Sequence, residues 1–179
     1  PPIELANIRD RIKGDVTTLV SFFNDELDRT VSWDDAAWMI EEWGGPFAIK
    51  GVLSAEDARR AADVGASAVM ISNHGGRQLD SSPAPIEVLP EIVDAVGDRM
   101  EVILDGGVRR GGHILKALAL GASACSAGRP YLFGLAAGGE AGVDQTLEIL
   151  RTDIERDMRL LGCRNIGEVD STRIRRVEN

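Results

Sequence analysis

Apolar residues gather in four short runs, at 47–52, 66–72, 102–107 and 124–128, and the segments between them repeat apolar positions at helical spacing. Runs of this length bounded by Gly, Ser and Asp predict buried strands. Ser32 with Asp35 has the spacing of an N-cap followed by an acid, ahead of Trp33, Ala36, Ala37, Ile40 and Trp43 on one predicted face. Gly44-Gly45-Pro46 stops that helix. Ser54 with Asp57 opens a second helix, which Gly65 closes. Residues 85–96 predict a third, with Ile86, Leu89, Val93 and Val96 as its apolar stripe. Residues 113–120 predict a fourth, and a long last helix over 143–161 carries Leu147, Leu150, Ile154 and Met158. Residues 1–32 hold no sustained period and are expected to form a partly helical or mobile segment, distinct from 33–179.

Strict alternation of strand and helix predicts parallel strands joined by right-handed crossovers. The tetrapeptide Gly-Ala-Ser-Ala occurs at 65–68 and again at 121–124, each time after a helix and before a strand. Its distance from the preceding strand end is also repeated, 15 residues from Lys50 to Gly65 and 16 from Asp105 to Gly121. One unit repeated around an axis is the logic of a barrel, with functional loops at the C-terminal ends of the strands. Four strands cannot close a (β/α)8 barrel, which takes about 250 residues. The expected fold is therefore α/β, one half of a TIM barrel, with two open sheet edges.

Composition narrows the chemistry. The 179 residues suffice for one domain with its own core. A net charge of −9 argues against nucleic acid as a partner. An acidic chain that binds an anion must concentrate positive charge locally, and Lys50, His74, Arg77, Arg109, Arg110 and Arg129 all lie at or just after the apolar runs. Cys125 and Cys163 have neither metal-site spacing nor the makings of a disulfide framework, so a reduced, cytoplasmic setting is expected. No apolar run approaches the roughly 20 residues of a membrane span, so no integral membrane segment is expected. The start at Pro-Pro, without methionine, suggests a fragment or a processed product.

Residues 72–78 read Ser-Asn-His-Gly-Gly-Arg-Gln at the end of the second run. This puts a proton-exchanging imidazole, His74, three residues from a guanidinium, Arg77, on a glycine-loosened loop. A guanidinium can grip a carboxylate with two parallel N–H bonds. The pair suits chemistry on a small acid. His113, at the start of a helix, is expected to be structural or solvated, and Tyr131 to pack.

This seven-residue stretch resembles the active-site signature of the FMN-dependent α-hydroxy-acid oxidases and dehydrogenases. Phe47-Ala-Ile-Lys-Gly51, Asp105-Gly-Gly-Val-Arg109, Gly128-Arg129 and Leu161-Gly-Cys-Arg164 resemble further motifs of that family in the same order, from about Trp33 to the C-terminus. The resemblance implies the C-terminal half, strands 5–8, of an FMN-binding TIM barrel, with 1–32 as the loop after strand 4. It implies Lys50 at the N1/O2 edge of the flavin ring, where an ammonium stabilises negative charge on the reduced ring, and Ser72 on the ring edge. His74 is implied as general base and Arg77 as carboxylate clamp. Asp105, Gly106, Gly107, Val108 and Arg109 are implied around the ribityl chain and phosphate, and Gly128 and Arg129 complete the phosphate cup. The partners it implies are a small 2-hydroxy acid, oxidised to the 2-oxo acid, a complementary N-terminal half-barrel, and further copies in a homo-oligomer, a tetramer in the family. It leaves membrane association open.

The family also uses two tyrosines, an aspartate behind the histidine and a second arginine, none of which has a matching position here. The isolated chain is therefore expected to bind FMN weakly and to turn over slowly, if at all. A second class of function fits the same residues, a non-catalytic flavin- or phosphate-binding half-barrel module. A third, another phosphate-binding barrel, would share the two glycine–arginine loops but has no need of the 72–78 motif.

Overall fold

The computed structural model describes residues 25–177. Within them, four strands, β1 (Ala48–Val52), β2 (Ala68–Ile71), β3 (Glu101–Asp105) and β4 (Ala124–Ser126), form one parallel sheet in chain order. Helices α1 (Trp33–Trp43), α2 (Ala55–Asp63), α3 (Pro85–Val96), α4 (Gly111–Ala119) and α5 (Arg129–Leu161) precede and connect the strands and follow the last one. This is the repeating unit of a (β/α)8 barrel taken through four strands, half of the closed fold. The part of the 1–32 assignment that falls on 1–24 lies outside the described residues.

Local chemistry sets most helix ends. The Ser32 side chain accepts from the Asp35 N–H while the Asp35 carboxylate accepts from the Ser32 N–H at 2.7 Å, a complete capping box. Gly44 ends α1 in the left-handed conformation at φ +63. Ser54 accepts the Asp57 N–H at 3.1 Å and so caps α2.

The internal repeat is structural. Gly65 and Gly121 both take left-handed φ values, +90 and +97, where a side chain would be strained. In each copy the serine N–H donates to a carbonyl at the start of the preceding strand, Ser67 to Phe47, just before β1, at 2.9 Å and Ser123 to Val102, the second residue of β3, at 2.8 Å. In each copy the serine hydroxyl also accepts that residue's N–H.

The main core lies between the sheet and α2–α4, where Val69, Ile71, Leu89, Ile92, Val96 and Val102 are all 1% exposed or less. A smaller cluster of Leu115, Ala119, Cys163 and Val169 seats the C-terminal segment on α4, with Ile154 and Met158 packed against it.

Several expectations need correction. In α3 the buried stripe is Pro85, Leu89, Ile92 and Val96, while Ile86 is 36% exposed. Trp43 leaves the packed face of α1 and stands exposed, its Nε1–H bonded to the Pro46 carbonyl at 2.9 Å. Leu147 and Tyr131 are both exposed rather than buried, at 55% and 42%. Helix α4 begins at Gly111 rather than 113. The span of α5, Arg129–Leu161, is two helical parts joined across non-helical Gly138 and Gly139, so the expected helix over 143–161 begins only a few residues sooner and a further helical part, not expected, precedes it. At that break the chain folds back so closely that Gly134 and Gly142 meet backbone to backbone, with no room for a side chain on either.

Candidate active site

All four strands end on the same side of the sheet, and the sequence places a chemically active residue at each end. Lys50 sits near the end of β1, Ser72 follows β2, Asp105 is the last residue of β3, and Gly128 and Arg129 follow β4. Parallel pairing brings them together across large sequence separations.

Ser72 is the hub. It is fully buried, and its hydroxyl donates to Asp105 Oδ2 at 2.5 Å. Ser72 Oγ also accepts from Lys50 Nζ at 2.9 Å and from the His74 N–H at 3.1 Å. One donor and two acceptor positions are all a hydroxyl has, so Ser72 is saturated. Lys50 Nζ closes the triangle with an ion pair to Asp105 Oδ2 at 2.9 Å. Two of its three ammonium hydrogens are thus committed and one remains, on a side chain 46% exposed.

Partial burial pushes the Asp105 carboxyl up, but hydrogen bonds from Ser72, Lys50 and Ser126, together with the Lys50 charge, outweigh it. The net result is a carboxyl held below its ordinary range. Asp105 is therefore held as an anion within the polar hub with Lys50 and Ser72.

His74 opens the loop after β2 and is exposed. Its φ of 55 lies in the left-handed region, a strain of about 1 kcal/mol for a side chain other than glycine. Three contacts hold it there. Ser72 takes its N–H. The preceding Asn73 accepts the Gly76 N–H at Oδ1 (3.1 Å) and donates to the Pro83 carbonyl (3.3 Å). Gly51, an extra residue in β1 between Lys50 and Val52, leaves space for the ring, since a Cβ there would lie 3.0 Å from His74 Cε1. Arg77 ends the same turn, exposed three residues on.

The two glycine–arginine loops face this group. Gly106 and Gly107 take φ +105 and +73. Both Gly107 and Gly128 have open space where a side chain would stand. The Val108 side chain is buried in the core, so only its main chain is available to a ligand. The Arg109 side chain is exposed, and its N–H donates to His113 Nδ1 at 3.2 Å, which gives His113 a definite structural role. The Arg129 guanidinium folds back onto the 72–78 turn and donates to the Gly75 carbonyl.

Sequence reasoning missed Ser126 altogether and gave Asn73, Gly51 and Gly75, which lie within the motifs quoted above, no contact of their own. Asn73 carried a readable signal, because an asparagine ahead of a glycine turn commonly bonds the backbone beyond it. A groove of about 410 Å³ flanks Lys50 beside the open edge of β1, lined by Val31, Trp33, Met39, Phe47 and Ile49 among others. No helix among the described residues is long and apolar enough to cross a membrane.

The sequence matches the family FMN-dependent dehydrogenase over residues 5–176. It is 47% identical over 163 residues to mouse (Mus musculus) 2-hydroxyacid oxidase 1, covering 91% of this chain and 44% of that protein. It is 52% identical over 138 residues to pre-mycofactocin synthase of Mycolicibacterium smegmatis, covering 77% of this chain and 35% of the relative. Among solved structures it superposes on the monotopic membrane protein (S)-mandelate dehydrogenase with a TM-score of 0.83 and 42% identity, over 89% of this chain and 42% of the other. The chain thus spans less than half the length of the relatives it matches. With the motif order, the half-barrel sheet and the clustered strand ends in agreement with these matches, the chain belongs to the FMN-dependent dehydrogenase family.

Proposed function

We propose that the protein carrying this chain oxidises a small 2-hydroxy acid to the 2-oxo acid with FMN, and that this chain is the C-terminal half, strands 5–8, of its barrel. The observation that carries the reading is the convergence of the 72–78 turn on the Lys50–Ser72–Asp105 hub, at the same end of the sheet as two open glycine–arginine loops.

The residues fit FMN. Gly107 and Gly128 leave space for a ligand to reach the main chain. Arg109 is exposed, and Arg129 commits one N–H to Gly75 with four others left over. Asp105, Gly106, Gly107, Val108 and Arg109 would hold the ribityl chain and phosphate, the valine through its backbone alone, and Gly128 and Arg129 would complete the phosphate site. Lys50 would offer its third ammonium hydrogen to the ring edge, and Ser72 would act there through Lys50. Bound FMN supplies the two-electron acceptor.

His74 would take the substrate proton, its backbone fixed by Ser72 and its ring given room by Gly51. Arg77 would hold the substrate carboxylate in the bidentate manner of a guanidinium. The complementary half would supply the remaining wall of the site, and with it full affinity and turnover. A homo-oligomeric state and a cytoplasmic setting belong to the same proposal, with membrane association as described for (S)-mandelate dehydrogenase its alternative.

The test is anaerobic mixing of the intact FMN-loaded protein with lactate, glycolate and mandelate, following loss of the oxidised flavin's visible absorbance. Bleaching by at least one of them is expected, slowed by about 10²–10⁴ in His74→Asn. Bleaching at an undiminished rate in that variant refutes the assignment of the base. One observation favours a second reading, in which the protein uses FMN on a substrate other than a small 2-hydroxy acid: pre-mycofactocin synthase is as similar to this chain as the 2-hydroxyacid oxidase is. Under it the protein retains FMN but none of the three acids bleaches it.

A further inference from the structure

The loop between β3 and α4 is tied at both ends by carboxylates, and only one of them belongs to the site described above. At its start Asp105 is bonded to Ser72 and Lys50. At its end α4 opens without a cap of its own. Arg110 makes no side-chain capping bond, and the first turn of α4 holds no acid. The first N–H groups of a helix need partners and carry partial positive charge.

Helix α5 supplies the partner. Asp153, 7% exposed, accepts the Gly111 N–H at Oδ2 (3.4 Å) while its Oδ1 pairs with Arg156 at 2.9 Å. Arg156 also pairs with Asp157 at 2.9 Å, and Asp157 Oδ2 lies 3.0 Å from where a Gly112 Cβ would stand. A side chain on Gly111 would collide with the backbone of Ile154 and with Asp153. The two glycines therefore let the carboxylate face of α5 press against the positive end of α4. Between the two anchored ends, Val108 is sunk in the core and the Arg109 N–H is held by His113. A carboxylate this deeply buried is stable only when paired and hydrogen-bonded, and both conditions are met here.

We infer that Asp153 is a positioning residue for the flavin phosphate: without touching the ligand, it fixes from behind the backbone of the 105–110 loop. The inference rests on the reading of that loop as the phosphate site. It predicts an effect specific to the phosphate. FMN and riboflavin, which differ only by that group, are rebound to the flavin-stripped intact protein and followed by quenching of flavin fluorescence, with thermal melts run alongside. Asp153→Ala is expected to lower FMN affinity about tenfold and leave riboflavin affinity unchanged. Asp153→Asn keeps the shape and an acceptor oxygen but loses the charge, and is expected to give a loss of about threefold, again confined to FMN. Arg109→Ala serves as control for the loop itself. If it lowers the preference for FMN while the Asp153 variants weaken both flavins alike, or neither, the role of Asp153 is overturned and the loop reading stands. If Arg109→Ala and the Asp153 variants all leave the preference unchanged, both are overturned.

Discussion

Replacing Ser72 by alanine removes one oxygen from a fully buried position and three hydrogen bonds with it. The bond to Asp105 is charge-assisted, with the carboxylate side chain 16% exposed, and is worth roughly 1.5–3 kcal/mol. The bond from the His74 N–H adds roughly 0.5–1.5 kcal/mol. The bond from Lys50 adds little, because the ammonium is half-exposed and water can replace the lost partner. The expected loss of stability is about 3 kcal/mol, read from the urea midpoint at unchanged slope.

The loss should depend on pH. Asp105 titrates lower in the folded chain than in the unfolded one, so its ionisation contributes stability above the unfolded value of about 4. That contribution disappears as pH falls through the lower folded value. Without the Ser72 donor the folded value rises, so the gap between wild type and Ser72→Ala should be full at pH 7 and narrow below about pH 4. The double variant with Asp105→Asn should show a coupling of about 1–2 kcal/mol. A loss under about 1 kcal/mol, or one equal at pH 7 and pH 3, refutes the hub.

Two further perturbations probe its neighbours. Gly51→Ala forces a side chain to φ +101 and into contact with His74 Cε1, so it should lower stability by about 1–2 kcal/mol and, by displacing the ring, reduce kcat/KM about tenfold with FMN affinity little changed. Equal losses of turnover and FMN affinity would point to general damage to the site instead. Burial pushes the Cys125 thiol up to about 11, so the folded protein should resist iodoacetamide at pH 8 and become reactive on denaturation. Because the fold favours the neutral thiol, this contribution to stability holds below the unfolded value of about 8.5 and is lost as pH rises through about 11, which melting curves across that range would register.

Elements were legible in the sequence wherever their ends are set locally. Ser32 with Asp35, Gly44, Ser54 with Asp57 and Pro85 each act within a few residues of themselves, and each marks a boundary where the structure has one. The misses occur where a distant residue decides. Helix α4 starts two residues early because its cap is Asp153, 42 residues away, a partner that no local pattern can reveal. The expected 143–161 is only the second part of α5: the chain is helical on both sides of non-helical Gly138 and Gly139, and the part before the break is brought back against the part after it, Gly134 against Gly142. In α3 the apolar residues nearly encircle the helix, and only the sheet decides that Ile92 rather than Ile86 is buried.

The site divides the same way. Its residues were readable because each stands at a strand end beside a glycine turn, but their bonds were not, since these depend on register. Lys50 pairs in register with Met70, and Met70 with Ile103, so Lys50 lies two residues below the rim on which Ser72 and Asp105 stand. Ser126 is level with Asp105 on the far side. Two residues of strand span roughly 6.6 Å, about the reach of an extended lysine. A lysine set two residues down can therefore bring its ammonium to rim height with its stem against the sheet, where Ser72 and Asp105 take two hydrogens and leave the third free. A lysine at the rim itself would overshoot both partners, and a shorter cation at position 50 would not reach them. The length of this one side chain thus couples the parallel register to the chemistry, and the motif at 72–78 acquires its neighbours only when that register is set.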